Sequence, residues 1–134
     1  MSYAGDLTPE QTWAMLRDNN AATLVDVRTD AEWRFVGLPD LSVLSREPIC
    51  IEWVHFDGTP NRDFARDLAA RVTGGPVIFL CRSGGRSISA AECASALGLV
   101  PAYNVLDGFE GQLDENAHRG RGGWRSAGLP WHQS

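Results

Sequence analysis

The residues from Pro76 to Leu80 form an uninterrupted apolar run (Pro-Val-Ile-Phe-Leu), which constrains the fold more than any other segment. A run without polar alternation is expected where a strand is buried on both of its faces, as in a parallel sheet covered by helices. Shorter runs of the same character lie at Thr23 to Val27, at Ile49 to Val54 and at Ala102 to Leu106. We therefore expect these four segments to be strands of a mostly parallel sheet.

Helix signals stand between these strands. Thr8 and Thr29 each open a capping box, because Gln11 and Glu32 follow them at the third position. Strands that alternate with helices indicate an α/β fold in which helices lie on both faces of the sheet. Two further helices are predicted, one over the repeat Phe64, Leu68 and Val72 after Asn61 and one from Ile88 to Leu97.

The charged residues exclude several classes of function. All 12 basic residues are arginines, so the chain has no lysine for a Walker-type phosphate loop, a Schiff base or pyridoxal phosphate. A net charge of −5 on 134 residues argues against nucleic acid as a partner. The chain also lacks a signal-peptide pattern and an apolar run near the roughly 18 residues that span a bilayer. We expect a cytoplasmic protein with no membrane partner.

Three cysteines, Cys50, Cys81 and Cys93, remain as candidates for chemistry. An odd number at these spacings, with no C-x-x-C pair, is not a disulfide framework and gives no metal site. We assign no metal and no cofactor. Cys50 and Cys93 have no distinctive neighbours, and we expect both to be packing residues.

The segment from Cys81 to Ser87 (Cys-Arg-Ser-Gly-Gly-Arg-Ser) carries the strongest chemical signal. It follows the buried strand and precedes a helix, which is where open α/β sheets bind ligands. Paired glycines let backbone N–H groups point inward, and the helix start and two arginines add positive charge. A free cysteine has a pKa of about 8.5, and comparable electropositive sites lower it to about 3.5–7.5. The pattern predicts that Cys81 is a nucleophile beside an anion-binding cradle.

Each of these features also has a purely structural interpretation. A cysteine at the end of a buried strand is often a core residue, and glycines are ordinary in turns between strands and helices. Ser83 and Ser87 either donate hydrogen bonds to a ligand or cap the helix. Asp26 and Arg28 are expected to form a structural pair that holds the loops. Arg28 and Glu32, four residues apart, also predict a local ion pair.

Taken together, the motifs resemble those of single-domain rhodaneses, a family of sulfurtransferases. Val25-Asp26-Val27-Arg28 followed by Glu32-Trp33 is similar to the family's first signature, and Cys81 to Ser87 is similar to its six-residue catalytic loop. Asp107-Gly108-Phe109 resembles the segment that ends the family's core. The resemblance covers about residues 3–112 and implies a three-layer α/β sandwich with a five-stranded, mostly parallel sheet flanked by helices on both faces.

We expect residues 1–112 to form this rhodanese-like domain. Residues 113–134 are then a glycine-, arginine- and tryptophan-containing extension packed on the same domain. Trp124 and Trp131 favour packing over a free linker, because two tryptophans are rarely left exposed.

The resemblance implies that Cys81 carries a persulfide. Sulfane sulfur would move from an anionic donor such as thiosulfate to a thiol or cyanide acceptor, with a protein thiol as a further candidate. Asp26 and Arg28 would support the loop without direct catalysis. The residues expected to bind the donor are Arg82, Ser83, Gly84, Gly85, Arg86 and Ser87.

Two alternatives stay open at this stage. Phosphatases and arsenate reductases of the same fold separate the cysteine and arginine by five residues, whereas four separate Cys81 from Arg86, and the smaller loop favours sulfur. A non-catalytic rhodanese module that binds a partner protein is the other alternative. The chain also departs from the family at Gly37-Leu38-Pro39-Asp40, where Gly-His-Ile-Pro is usual, so the geometry of that loop is not predicted.

Overall fold

The computed structural model describes residues 2–133 and contains one central sheet with helices packed against it. None of the helices within this range is long and apolar enough to cross a membrane. The helices are α1 (Pro9–Asp18), α2 (Asp30–Phe35), α3 (Phe64–Arg71) and α4 (Gly85–Ala96), with a 3-10 turn at Ser42–Leu44. The strands are β1 (Gly5–Leu7), β2 (Thr23–Asp26), β3 (Leu38–Pro39), β4 (Ile49–Cys50), β5 (Val77–Leu80), β6 (Ala102–Val105), β7 (Gln112–Leu113), β8 (Arg119–Arg121) and β9 (Trp131–His132).

Five strands form the central sheet in the order β1-β6-β5-β2-β4, and every pairing between them is parallel. All four residues of β5 are buried, because the strand lies in the middle of this sheet. The expected α/β fold with a five-stranded parallel sheet is confirmed. The carboxyl ends of the parallel strands meet at one edge, and this edge carries Cys50 and the residue after β5, Cys81.

Alternate residues of β5 enter two separate cores. Val77 and Phe79 pack with residues of α3 and α4, such as Leu68, on one face of the sheet. Ile78 and Leu80 pack on the other face with α1 and with Trp124 from the C-terminal part of the chain. This division follows from the two-residue period of a strand, and it gives the three layers that the resemblance implies.

Two predicted boundaries were wrong by several residues, and one strand was not predicted. The strand predicted to reach Val54 ends at Cys50, because the chain turns back and Val54 pairs with Pro60 in an isolated antiparallel bridge. Helix α4 begins at Gly85 rather than at Ile88, since Gly84 alone, with φ of +110°, makes the turn. The short strand β1 was not predicted at all, because its three residues have no apolar alternation and depend on pairing with β6.

The C-terminal residues pack against the sheet and against the segment that departs from the rhodanese pattern. Trp124 is fully buried and its indole N–H donates to the carbonyl of Pro130 at 2.8 Å. Strand β9 pairs antiparallel with β3, so Trp131 lies opposite Pro39 and remains 40% exposed. The altered Gly37–Pro39 segment is therefore paired with the tail. The domain boundary expected after residue 112 stays a prediction.

Candidate active site

Cys81 lies directly after β5, at the carboxyl edge of the sheet. Its side chain is 1% exposed and packs in the core between the sheet and helices α3 and α4. The carbonyl of Cys81 accepts a hydrogen bond from the N–H of Phe109 at 2.8 Å, and the carbonyl of Arg82 accepts from the N–H of Glu110 at 3.0 Å. The backbone of Cys81 and of the residue after it is thus held by the turn that follows β6.

Gly108 makes this attachment sterically possible. It has φ of +61°, and a Cβ at this position would collide with the carbonyl oxygen of Cys81 and with Arg82. Only glycine accommodates both the backbone angle and the close approach. The Asp107-Gly108-Phe109 motif therefore packs against the backbone at the start of the cysteine loop.

Two hydrogen-bonding groups surround the sulfur of Cys81. The N–H of Gly84, which has φ of +110° in the turn before α4, donates to Sγ at 3.1 Å. The hydroxyl of Ser87, in the first turn of α4, lies 3.2 Å from Sγ. The predicted glycine cradle thus contributes one N–H to the sulfur. The early start of α4 brings Ser87 into the same site.

The two arginines of the loop have different surroundings. Arg82 is exposed and forms no ion pair with any residue between positions 2 and 133. Arg86 is half-buried and donates to both carboxylate oxygens of Glu32, at 2.8 and 3.1 Å. The sequence predicted two charges for the cradle, and the structure leaves Arg82 as the one without a carboxylate partner.

The Arg86–Glu32 pair alters the ionisation of both partners. Burial alone would raise the pKa of Glu32, but hydrogen bonds from Arg86 and from the backbone of Thr29 outweigh it, so this pKa lies below its ordinary value. Burial alone would lower the pKa of Arg86, but the hydrogen bond and charge of Glu32 outweigh it, so this pKa lies above its ordinary value. This ion pair therefore links helix α2, which carries Glu32, to helix α4, which carries Arg86.

The remaining loop residues predicted to bind the donor are positioned as follows. Ser83 is half-buried and its carbonyl accepts a hydrogen bond from the side-chain amide of Gln112 at 2.5 Å. Gly84 is buried and Gly85 is exposed at the start of α4. No side-chain hydrogen bond links Ser83 to the sulfur.

Asp26 and Arg28 form a fully buried ion pair beneath the loop region, with Nη2 and Oδ2 2.8 Å apart. The same Nη2 donates to the carbonyl of Gly37 at 2.7 Å, and the guanidinium lies 4.3 Å from the ring centre of Phe109. The predicted structural pair is present. The predicted Arg28–Glu32 ion pair is wrong, because Arg28 is bound by Asp26 and Glu32 is bound by Arg86.

An open cavity of about 600 Å³ borders the loop on the side of Arg82 and Arg86. Two phenylalanines on its rim, Phe35 and Phe56, are 77% and 81% exposed. No pattern in the sequence predicts this cavity, because Phe35 ends α2 and Phe56 lies in the turn after β4. Its lining combines these apolar rings with two arginines, Arg82 and Arg86, and two carboxylates, Glu32 and Glu110.

Asn104 is a further site residue that the sequence did not identify. It lies on β6, it is buried, and its Oδ1 accepts a hydrogen bond from the hydroxyl of Ser87 at 2.5 Å. Its Nδ2 donates to Oδ1 of Asp6 on β1 at 3.0 Å. A single asparagine in an apolar strand gives no such indication, since the pairing of β1 with β6 is what brings the two side chains together.

The other two cysteines have the environments expected of packing residues. Burial, followed by the charge of Asp26, raises the pKa of Cys50 to about 12. Burial also raises the pKa of Cys93. Both thiols are therefore protonated near neutral pH.

Comparison with known proteins finds relatives over most of this chain. A family model described as the STR4 middle domain matches residues 5–134. Protein RC0915 of Rickettsia conorii is 36% identical over 124 residues, which cover 90% of this chain and 91% of that protein.

Solved structures extend the comparison. The crystal structure of Rv0390 from M. tuberculosis is similar with a TM-score of 0.95 and 62% identity, covering 99% of this chain and all of that one. A rhodanese-like domain protein from Staphylococcus aureus shares the fold, with a TM-score of 0.58 and 22% identity over 78% of this chain and 86% of that one.

Proposed function

This chain belongs to the STR4 middle domain family of rhodanese-like proteins, and on that premise we propose that it is a sulfurtransferase acting through a persulfide on Cys81. The observation that carries the proposal is the contact of the Gly84 N–H with Cys81 Sγ at the start of an α-helix. A backbone N–H and a helix N-terminus both stabilise negative charge on sulfur. Thiolate and persulfide are the anionic states that the reaction requires.

In the first step, the Cys81 thiolate attacks the outer sulfur of an anionic donor such as thiosulfate. The bond between the two sulfurs of the donor breaks, sulfite leaves with the electron pair, and a new S–S bond forms on Cys81. No proton is transferred and total charge is conserved, so the step needs no general base. Arg82 is the exposed arginine of the loop, and within the described chain it has no carboxylate partner, so it attracts the donor anion.

In the second step, an acceptor thiolate or cyanide attacks the outer sulfur of the Cys81 persulfide. The S–S bond breaks, the acceptor leaves with the sulfur, and the Cys81 thiolate is restored. The cavity of about 600 Å³ is lined by Arg82 and Arg86 of the loop that carries Cys81, and we propose it as the side from which the acceptor approaches. Its size and its exposed rings, Phe35 and Phe56, suit an acceptor thiol on a larger, partly apolar molecule, including a protein.

A phosphatase with the same fold is the weaker alternative. Such an enzyme needs an arginine free to bind the phosphoryl oxygens, and the guanidinium of Arg86 is bound by both oxygens of Glu32. Four residues between Cys81 and Arg86 also make a smaller loop than phosphate requires. Both observations favour sulfur over phosphorus as the atom attacked.

A module that binds a partner without catalysis is favoured by two specific observations. Phe35 and Phe56 are exposed beside the loop, and Cys81 is only 1% exposed. In that case the loop would be a recognition surface and Cys81 a core residue.

Intact mass spectrometry after incubation with thiosulfate separates these functions. The sulfurtransferase gains one sulfur atom, Cys81→Ser gains none, and the matched control Cys50→Ser gains one as the wild type does. Absence of any gain with thiosulfate and with other sulfane donors would contradict the proposal. Turnover of an aryl phosphate by the wild type would instead support the phosphatase.

A further inference from the structure

A chain of hydrogen bonds joins the sulfur of Cys81 to a carboxylate on the first strand. Ser87 Oγ lies 3.2 Å from Sγ, and the Ser87 hydroxyl donates to Asn104 Oδ1 at 2.5 Å. Asn104 Nδ2 donates to Asp6 Oδ1 at 3.0 Å, and the hydroxyl of Tyr3 donates to the same oxygen at 2.8 Å. Ser87 and Asn104 are buried, whereas Asp6 is exposed at the outer end.

The direction of every hydrogen bond in this chain follows from its outer end. A carboxylate only accepts hydrogen bonds, so Asp6 binds the amide N–H of Asn104 and turns Asn104 Oδ1 toward Ser87. The hydroxyl of Ser87 has one proton, which it donates to Asn104 Oδ1 in a hydrogen bond. The oxygen of Ser87 therefore presents lone pairs to Cys81 Sγ.

This direction favours the neutral thiol of Cys81. An S–H group donates to the lone pairs of Ser87, whereas a thiolate faces them without a proton between the atoms. For Ser87 to donate to a thiolate, its hydroxyl must leave Asn104 Oδ1, a buried acceptor that then has no donor from Ser87. The N–H of Gly84 and the Ser87 oxygen thus act in opposite directions on the same sulfur.

We propose that Asp6 and Asn104 are positioning residues that keep Ser87 in the accepting orientation and so hold the resting Cys81 as a protonated thiol. The inference rests on Cys81 as the nucleophile of the proposed function, but it concerns the thiol before any donor is bound. Its consequence is that deprotonation of Cys81 requires reorientation of the Ser87 hydroxyl.

Asp6→Asn tests this inference with little change in shape at an exposed residue. An amide at position 6 can donate to Asn104 Oδ1, which lets the Asn104 amide reverse and offer its N–H to Ser87. Ser87 then becomes free to donate to the sulfur. The charged groups of the loop and of the elements around it are Arg82 next to the thiol, Arg86 of α4 with its partner Glu32 of α2, and the buried Asp26–Arg28 pair, and Asp6→Asn alters none of them.

The readout is the ultraviolet absorbance of the Cys81 thiolate against pH, taken as the difference from the same protein carrying Cys81→Ser. Asp6→Asn is expected to increase the ratio of thiolate to thiol about tenfold at a given pH below the midpoint, as for the loss of one hydrogen bond to the thiol form. Tyr3→Phe is the matched control, because it removes the other hydrogen bond to Asp6 and leaves the direction of the chain unchanged.

A second variant, Ser87→Ala, separates the effect of the Ser87 hydroxyl orientation from the effect of losing the Asp6 charge. With Ser87→Ala, the hydroxyl is absent, and Asp6→Asn is expected to leave the titration unchanged. If Asp6→Asn shifted the thiolate titration equally with and without the Ser87 hydroxyl, the cause would be long-range electrostatics, and the inference would be overturned. Absence of a shift in both proteins would also overturn it. If Asp6→Asn does not fold, Asn104→Ala frees the same hydroxyl and carries the same expectation. Because no sulfur donor is used, the result is independent of whether the protein transfers sulfur.

Discussion

Cys50 and Cys81 lie at the same edge of the sheet, yet their surroundings favour opposite chemistry. Cys50 ends β4 opposite Asp26 of the neighbouring strand, and the chain after it forms no helix until α3. Cys81 follows β5 and is succeeded by the Gly84 turn and the start of α4. The proposed nucleophile therefore differs from Cys50 in the turn and helix that follow it and not in its position at the end of a parallel strand.

The largest expected difference between the two regions is in alkylation. A pKa of about 12, caused first by burial and then by Asp26, leaves about one Cys50 in ten thousand as thiolate at about pH 8. We expect iodoacetamide to modify Cys81 faster than Cys50, because the Gly84 N–H and the start of α4 stabilise a thiolate at Cys81 and only thiolates react. Peptide mapping by mass spectrometry over time gives both rates in one sample. Equal rates, or faster modification of Cys50, would remove the distinction.

The second expected effect concerns the strand between the two cysteines. β2 lies between β4 and β5, and its Asp26 neutralises the fully buried Arg28. Asp26→Ala leaves a buried charge unpaired, and we expect it to lower the free energy of unfolding by about 3–5 kcal/mol. Urea unfolding measures this loss. Asp18→Ala removes an exposed partner of Arg17 and is the matched control, with no expected change in midpoint.

The third effect separates the arginines of the two regions. Arg82 follows Cys81 and is exposed, whereas Arg71 donates to the carbonyl of Cys50 at 3.2 Å. Arg82→Gln is expected to raise KM for thiosulfate about tenfold with little change in kcat, because it removes a charge that attracts the donor. Added salt should reduce the difference between wild type and variant. Arg71→Gln is expected to leave KM unchanged, and a rise in KM for this variant would contradict the assignment of the site.

The smallest effect is on the pH dependence of stability. Because the pKa of folded Glu32 lies below its ordinary value of 4.5, Glu32 stabilises the fold above about pH 4.5, and this contribution is lost as pH falls through the folded pKa. Glu32→Gln should lower stability by about 1 kcal/mol at neutral pH, with the difference from wild type shrinking in acid. Unfolding midpoints at several pH values measure it. A difference that is constant with pH would show that the Arg86–Glu32 pair does not respond to ionisation.

Local signals in the sequence predicted the parts of the fold that depend on neighbouring residues. Both capping boxes form as expected, because Thr8 and Thr29 bind residues only three positions away. The apolar run of β5 is central and buried, and the glycine-rich turn with its N–H on sulfur follows Cys81. Each of these features requires only the spacing of a few residues.

Features that depend on distant pairing could not be predicted. Glu32 binds Arg86, which is 54 residues away, instead of the nearby Arg28. Asp6 binds Asn104 across 98 residues, because β1 pairs with β6. The sequence predicts a start of α4 that is three residues too late, since two adjacent glycines do not show which one makes the turn and which one begins the helix.

Transfer of one labelled sulfur atom through Cys81 is the most direct test of the account. The protein is incubated with thiosulfate labelled in its outer sulfur, freed from excess donor, and then mixed with a thiol acceptor in a single turnover. We predict that the label first resides on Cys81 with release of unlabelled sulfite, and then appears on the acceptor in an amount equal to the loaded protein. Labelled acceptor without prior labelling of Cys81, or a protein that takes up no label, would contradict the persulfide mechanism.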